Sequence, residues 1–173
     1  IAESHVLRRL GQLASTYILS RIIDNQISGL TWGTTLYETI VAMPRYQTNN
    51  TQVVQVIGAL GTKNQLYDGP EIARQFAEKL GAQHHYWPSP LILESRSVRD
   101  AMLKNHSVNK TIELARQAQL LVTGIGTIDP DFSAPLRAGY ITDADIEALK
   151  QAGAVGEFCS YHIDADGNPL QTS

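Results

Sequence analysis

The sequence contains one cysteine, Cys159, among its 173 residues. An internal disulfide is therefore excluded, and this cysteine usage suits a reducing cytoplasm. Basic residues are scarce toward the end of the chain, where only Arg137 and Lys150 follow Arg116, against eight acidic residues. Because the basic residues form no stripe, the sequence argues against direct contact between this segment and nucleic acid.

Long apolar runs are also lacking. The longest, such as residues 53–60, are far too short to cross a bilayer, and no signal peptide opens the chain. We therefore expect a cytoplasmic location and no membrane partner. The hydrophobic content of 43% is enough for one core. Since the chain begins at Ile1 without methionine and stops after an apparent strand and turn, we expect a single domain over residues 1–173 that is truncated at both ends.

Helical and extended patterns alternate along the chain. Apolar residues at helical spacing predict a first helix that ends near Arg21. Capping-box patterns predict helices that begin at Thr35 with Glu38, at Asp68 with Glu71, and at Thr142. Two further helices are predicted at residues 97–105 and 107–118, and strands at residues 27–31, 52–57, 83–87, 119–123 and 157–163. This alternation predicts an α/β fold with a mostly parallel sheet covered by helices.

Three of the predicted strands end in glycine-containing turns. Ligands of open α/β sheets collect beyond the carboxyl ends of the strands, and the free amides of a following helix favour phosphate. The turns are Trp32-Gly33-Thr34-Thr35, Gly58-Ala59-Leu60-Gly61 and Gly124-Ile125-Gly126. Each could instead be a plain turn, and Thr35 could serve only as a helix cap. The third turn lacks the rest of a dinucleotide fingerprint, so no nicotinamide cofactor is predicted.

Other residues with chemical potential give weaker patterns. His84 and His85 are adjacent in a predicted strand and point to opposite faces, so they cannot share a metal. Residues 164–168 place glycine at the wrong position for a calcium loop, which favours a plain hairpin turn. Cys159 is predicted as a small buried residue within a strand. Glu157 either faces the ligand site or is a solvated acid at the end of a strand.

Several segments together resemble the effector-binding domain of SorC/DeoR-type bacterial transcriptional regulators. The segments are SGLTWGTTL, VVQVIGALG, LLVTGIG, GYIT and GAVGEFCSYHIDADGNPL, in the order and approximate spacing of that family. The resemblance covers residues 14–170, and GAVGE followed by DADG is its most specific part. It implies a fold similar to the sugar-phosphate isomerase and CoA-transferase group.

The resemblance also implies a function. Such domains bind a phosphorylated sugar, or sometimes a free sugar, and control a DNA-binding helix-turn-helix; they are not enzymes and form dimers or tetramers. By resemblance, Trp32, Gly33, Thr34 and Thr35 lie at the phosphate. Gly58 and Gly61 line the pocket, and Glu157 contacts sugar hydroxyls.

Two departures from the family are expected to matter. The N-terminal helix-turn-helix is missing, so we do not expect this chain to bind operator DNA alone. The C-terminal part of the family, which brings a pocket lysine, is also missing. Two other functions stay open. One is a sugar-phosphate isomerase-like enzyme with Glu157 as base, for which no acid–base partner is evident. The other is a scaffolding module, which would leave the glycine turns unexplained.

Overall fold

The computed structural model describes residues 3–61 and 65–170 of the chain. The chain divides into two compact units, residues 1–122 and residues 123–173. Each unit has its own sheet, of four strands in the first and three in the second. No helix in the described part of the chain combines the length and apolar character needed to span a bilayer.

The first unit is a parallel α/β layer structure. Its strands are β1 (Ile27–Leu30), β2 (Gln52–Gln55), β3 (Gln83–His85) and β4 (Leu120–Val122). Its helices are α1 (Glu3–Leu19), α2 (Thr34–Ala42), α3 (Gly69–Leu80), α4 (Arg96–Lys104) and α5 (His106–Arg116), with a 3-10 turn at Gln65–Tyr67. The strand order is β3-β2-β1-β4 and every pairing is parallel. The predicted fold class is confirmed.

The core of the first unit forms where α1, α2 and α3 meet strands β1 and β2. Leu30 and Val53 are fully buried in the strands, and Phe76 from α3 packs with them. The apolar residues of α3 recur at helical spacing, so one face of this helix is buried while the other carries charge. This packing fixes the start of each helix relative to the strand before it.

The structure tests the capping residues that the sequence predicts for helices α2 and α3. Asp68 is the N-cap of α3, as predicted, but Glu71 bonds Arg74 and Gln75 and does not complete the box. The capping box predicted at Thr35 is wrong. The N-cap of α2 is Gly33, two residues before Thr35, and glycine has no side chain to accept a bond from the first turn.

The second unit contains an antiparallel sheet. Its elements are β5 (Ile125–Gly126), α6 (Ala134–Arg137), α7 (Asp143–Gln151), β6 (Gly156–Phe158) and β7 (Tyr161–Ile163), with sheet order β5-β6-β7. Helix α7 starts with the complete capping box of Thr142 and Asp145. The turn at Gly124-Ile125-Gly126 is therefore not a free loop beyond a parallel strand, because Ile125 and Gly126 pair with β6.

The single strand predicted at residues 157–163 is wrong. The chain reverses at Cys159 and Ser160, whose φ angles of 50° and 68° are the pair of positive values that a tight hairpin turn requires. Cys159 is therefore a partly buried turn residue, and its Sγ lies 3.6 Å from the Thr123 hydroxyl. The next turn is the predicted plain one, since the Asp164 carboxylate accepts bonds from the backbone N–H groups of Asp166 and Asn168.

Candidate functional site

The strand order of the first unit reverses at β1. From β1 the chain adds β2 and β3 on one side, and β4 then pairs with the other side of β1. Open α/β sheets bind ligands beyond the carboxyl ends of the strands at such a reversal. The carboxyl end of β1 continues through Thr31 and Trp32 into Gly33, where α2 starts. The predicted phosphate segment therefore lies at the position that this topology favours.

Gly33 links strand to helix in a conformation that other residues avoid. Its φ of 131° and ψ of 158° lie in a region that is essentially restricted to glycine. The Gly33 carbonyl accepts the first helical bond from Tyr37, and the Gly33 N–H donates to the Tyr67 carbonyl at 3.1 Å. The backbone N–H of Gly33 is therefore already bonded and is not available to a ligand.

Three donors follow Gly33 at the start of α2. The backbone N–H groups of Thr34, Thr35 and Leu36 bond to no acceptor within residues 3–61 and 65–170, and no side chain caps the helix. The first turn of a helix carries a partial positive charge, and its free amides bind anions. Thr34 is partly buried and Thr35 is exposed, and their hydroxyl groups add donors to this turn without adding charge.

Trp32 contributes another donor. Its ring packs against the hydrophobic core of the first unit, and its Nε1 is buried with no hydrogen-bond partner in the described part of the chain. A buried N–H without an acceptor is costly, by about 1–3 kcal/mol. Trp32 immediately precedes Gly33 in the chain, so this unpaired donor belongs to the same strand-to-helix loop as the three amides.

The second glycine turn is occupied by the protein itself. The carboxylate of Asp68, a residue only 7% exposed, accepts bonds from the N–H groups of Leu60 at 2.8 Å, Gly61 at 2.8 Å and Gly69 at 2.7 Å. The Asp68 carboxylate thus occupies the position at which an external anion would accept bonds from these N–H groups. These bonds also join the turn to the start of α3.

Gly58 has a packing role that explains it without a ligand. A Cβ at this position would lie 2.3 Å from the Pro90 carbonyl oxygen. The neighbouring Ala59 donates to the Ser89 carbonyl and accepts from Leu91, so the two backbones run side by side. The assignment of Gly58 and Gly61 to a ligand site stays a prediction, and both have sufficient structural reasons to be glycine.

Glu157 lies in the second unit and is not a solvated acid. It is only 6% exposed, and its direct neighbours across the sheet are Gly126 on one side and His162 on the other. A Cβ at Gly126 would lie 3.4 Å from the Glu157 Oε2, so glycine leaves room for the carboxylate. Burial raises the pKa of Glu157, and a bond from the Ser160 backbone opposes that shift. No cation pairs with Glu157 among the described ion pairs.

Two polar residues near the predicted sites were not singled out from the sequence. Gln55 is fully buried at the end of β2, where its side chain donates to the Ile57 carbonyl and accepts from the Trp87 N–H, holding the strand ends together. His162 faces Glu157 across the hairpin, and its pKa is lowered by burial. For Gln55 the sequence offers one signal, since this glutamine lies inside the apolar run QVVQVI. The position of His162 depends on a turn that the sequence did not reveal.

Metal-binding groups are not brought together. His84 and His85 are consecutive residues of β3, and the pKa of each is lowered mainly by burial. Within residues 5–61 and 65–170, no three His, Cys, Asp or Glu side chains are grouped to hold a metal ion.

Comparison with known proteins identifies the family. The family model "Putative sugar-binding domain" matches residues 2–173. The deoxyribonucleoside regulator of Bacillus subtilis is 30% identical over 165 residues, which cover 95% of this chain and 51% of the relative. The erythritol catabolism regulatory protein EryD of Brucella abortus is 27% identical over 173 residues, covering 99% of this chain and 54% of the relative.

The fold matches solved structures as well. The full-length sorbitol operon regulator SorC of Klebsiella pneumoniae superposes with a TM-score of 0.88 at 18% identity, covering 98% of this chain and 56% of that one. The chain belongs to the sugar-binding domain family of SorC/DeoR-type transcriptional regulators, which confirms the resemblance. It spans about half the length of the curated relatives that it matches.

Proposed function

We propose that this chain is the ligand-sensing domain of a transcriptional regulator and that it binds a phosphorylated sugar. The observation that carries the proposal is the start of α2, where the amides of Thr34, Thr35 and Leu36 bond to no acceptor among the described residues, at the point of strand reversal. A phosphate would accept these bonds and would be favoured by the partial charge of the helix start. Trp32 Nε1 is a further donor without a partner in the described residues.

The names of the relatives support a polyhydroxylated effector. One relative is named for deoxyribonucleosides and another for erythritol catabolism. Erythritol carries four hydroxyl groups, and the sugar of a deoxyribonucleoside carries two. We also propose that Glu157 contacts hydroxyl groups of an effector, because a buried carboxylate that pairs with no cation among the described ion pairs is a strong acceptor for hydroxyl donors.

The consequence for the whole regulator follows from relatives that are named as transcriptional regulators. We propose that effector binding here changes operator binding by a helix-turn-helix outside this chain, that the regulator is a cytoplasmic homo-oligomer, and that the chain catalyses no reaction. The scarcity of basic residues after Arg116 agrees with a domain that does not contact DNA itself.

A thermal-shift comparison of matched sugars tests the proposal. The chain is melted with ribose 5-phosphate, glucose 6-phosphate and the corresponding free sugars, with inorganic phosphate as the control. A ligand that binds only the folded state raises the melting temperature as its concentration exceeds Kd, so the phosphosugars are expected to stabilise more than the free sugars. Equal or greater stabilisation by the free sugars contradicts the phosphate assignment. Conversion of a phosphosugar to its isomer, followed by NMR, would favour the isomerase-like enzyme.

A further inference from the structure

We propose that His162 and Glu157 form a pair that binds hydroxyl groups of the effector, which makes His162 a specificity-determining residue. The proposal rests on the proposed function, since it extends the assignment of Glu157 to effector hydroxyl groups. It assigns to the second unit the task of telling a hydroxyl-bearing ligand from its deoxy analogue.

The hairpin places the two side chains together. Glu157 on β6 and His162 on β7 are direct partners in the antiparallel register. Opposite residues in such a pair project from the same face, with Cβ atoms about 4.5–5.5 Å apart. Gly126, the partner of Glu157 on its other side, adds no side chain to this row, and a Cβ there would lie 3.4 Å from the Glu157 Oε2.

The two faces of this sheet are the reverse of the usual arrangement. The row on the other face is apolar, and its members are well exposed: Ile125 at 80%, Phe158 at 40% and Tyr161 at 64%. Exposed antiparallel sheets normally turn their polar face to water. Here the polar row is the shielded one, with Glu157 buried and His162 half-buried. Shielding polar groups costs free energy unless they find partners.

The partners of these polar groups are not supplied by the described residues. No hydrogen bond or ion pair within residues 5–61 and 65–170 engages the His162 imidazole, and Glu157 receives only the Ser160 backbone N–H. The Ser160 hydroxyl, in the turn of the same hairpin, is buried and also has no partner in that part of the chain. Three polar groups of one hairpin are thus left for a bound molecule to satisfy.

Hydroxyl groups fit this set of partners. A carboxylate only accepts hydrogen bonds, whereas a neutral imidazole offers one donor and one acceptor, and burial lowers the pKa of His162 toward that neutral form. A sugar hydroxyl both donates and accepts, so neighbouring hydroxyls can serve both residues. A site built to bond a hydroxyl rejects the analogue that lacks it, because its own polar groups are then unpaired.

The test measures ligand affinity by calorimetry and the imidazole resonances of His162 by NMR in parallel. Ribose 5-phosphate, 2-deoxyribose 5-phosphate, erythritol and ribitol are titrated by calorimetry into the wild-type chain, H162F, H162Q and E157Q. The imidazole resonances of His162 are followed by NMR in the wild type. Phenylalanine keeps the bulk of the ring and removes its polar atoms, and glutamine restores a donor and an acceptor. H106F is the matched control, because His106 is an exposed histidine at the start of α5.

The expected result is that H162F binds the best hydroxyl-bearing ligand about three- to tenfold more weakly, as for a lost hydrogen bond, and discriminates less against the deoxy analogue. H162Q should recover part of the affinity, H106F should match the wild type, and ligand should shift the His162 resonances. If the wild type binds a ligand but the His162 resonances do not shift and H162F keeps the wild-type affinity, the proposed pair is wrong and the sensing function stands. If no compound binds the wild type, both proposals are overturned. The resonance shift decides the matter even if H162F fails to fold.

Discussion

Replacing Gly33 by alanine separates the strain of the loop from its role in binding. A Cβ at Gly33 would have no heavy atom within 4 Å, so the substitution creates no clash. Its cost comes from the backbone alone, because φ of 131° with ψ of 158° is essentially a glycine conformation. Holding another residue there costs about 1–3 kcal/mol. Each kcal/mol should lower the melting temperature by about 2–4 °C for a chain of this size.

The same substitution is expected to weaken effector binding. If the alanine relieves its strain by rotating the loop, the amides of Thr34 and Thr35 no longer point at one anion. Hydrogen bonds to a charged group contribute about 1.5–3 kcal/mol, so the loss corresponds to roughly tenfold to hundredfold weaker binding of a phosphosugar. Binding of the corresponding free sugar should change far less.

The matched control is Gly139→Ala in the second unit. Gly139 also has a positive φ, 79°, and open space around its Cβ position. It should cost about 1–2 kcal/mol of stability and leave phosphosugar affinity unchanged. Melting curves and calorimetry on both variants provide the comparison. A Gly33→Ala chain that binds phosphosugars normally would refute the placement of the phosphate at this loop, and one with unchanged stability would refute the strained conformation.

Three further predictions concern buried polar groups. Asp68→Ala should lower the free energy of unfolding by about 2–4 kcal/mol in urea titrations, because three backbone donors lose their acceptor. Asp68→Asn should have a stability between those of the wild type and Asp68→Ala. Equal stability of all three proteins would contradict this. Glu157→Gln should have a higher melting temperature than the wild type at neutral pH. The pKa of Glu157 is raised in the folded state, so the wild type loses stability as pH rises above about 4.3, the pKa of an unfolded glutamate. A lower melting temperature of the variant would contradict this. Burial lowers the pKa values of His84 and His85, so the free energy of unfolding measured in urea should fall as pH drops below about 6.5. The double variant His84→Gln, His85→Gln should show a weaker pH dependence. An identical pH profile in the double variant would exclude the two histidines as its source.

The parallel sheet could be predicted because its signals are local. Buried β-branched runs such as residues 52–57 and the amphipathic pattern of α3 each depend on neighbouring residues only. The strand-to-helix junction at Gly33 was predicted for the same reason. Its detail was not, because the capping residue proved to be the glycine itself and not Thr35.

The antiparallel part could not be predicted because its signals are weak or distant. Hairpin turns are usually marked by Asn-Gly or a similar pair, whereas here Cys159 and Ser160 take the two positive φ angles. The Asp68 carboxylate reaches back to Leu60 and Gly61, and no local pattern shows that their amides are already bonded. Such contacts decide which glycine turn is free to bind a ligand.

The most direct test of the account follows the backbone amides by NMR while ribose 5-phosphate is added to the chain. The N–H groups of Thr34, Thr35 and Leu36 are unbonded in the described structure, and those of Leu60 and Gly61 already bond Asp68. We expect the first three resonances to move downfield together, as for new hydrogen bonds to an anion, while the other two stay in place. Movement of Leu60 and Gly61 without the α2 amides would contradict the central claim that phosphate binds at the start of α2.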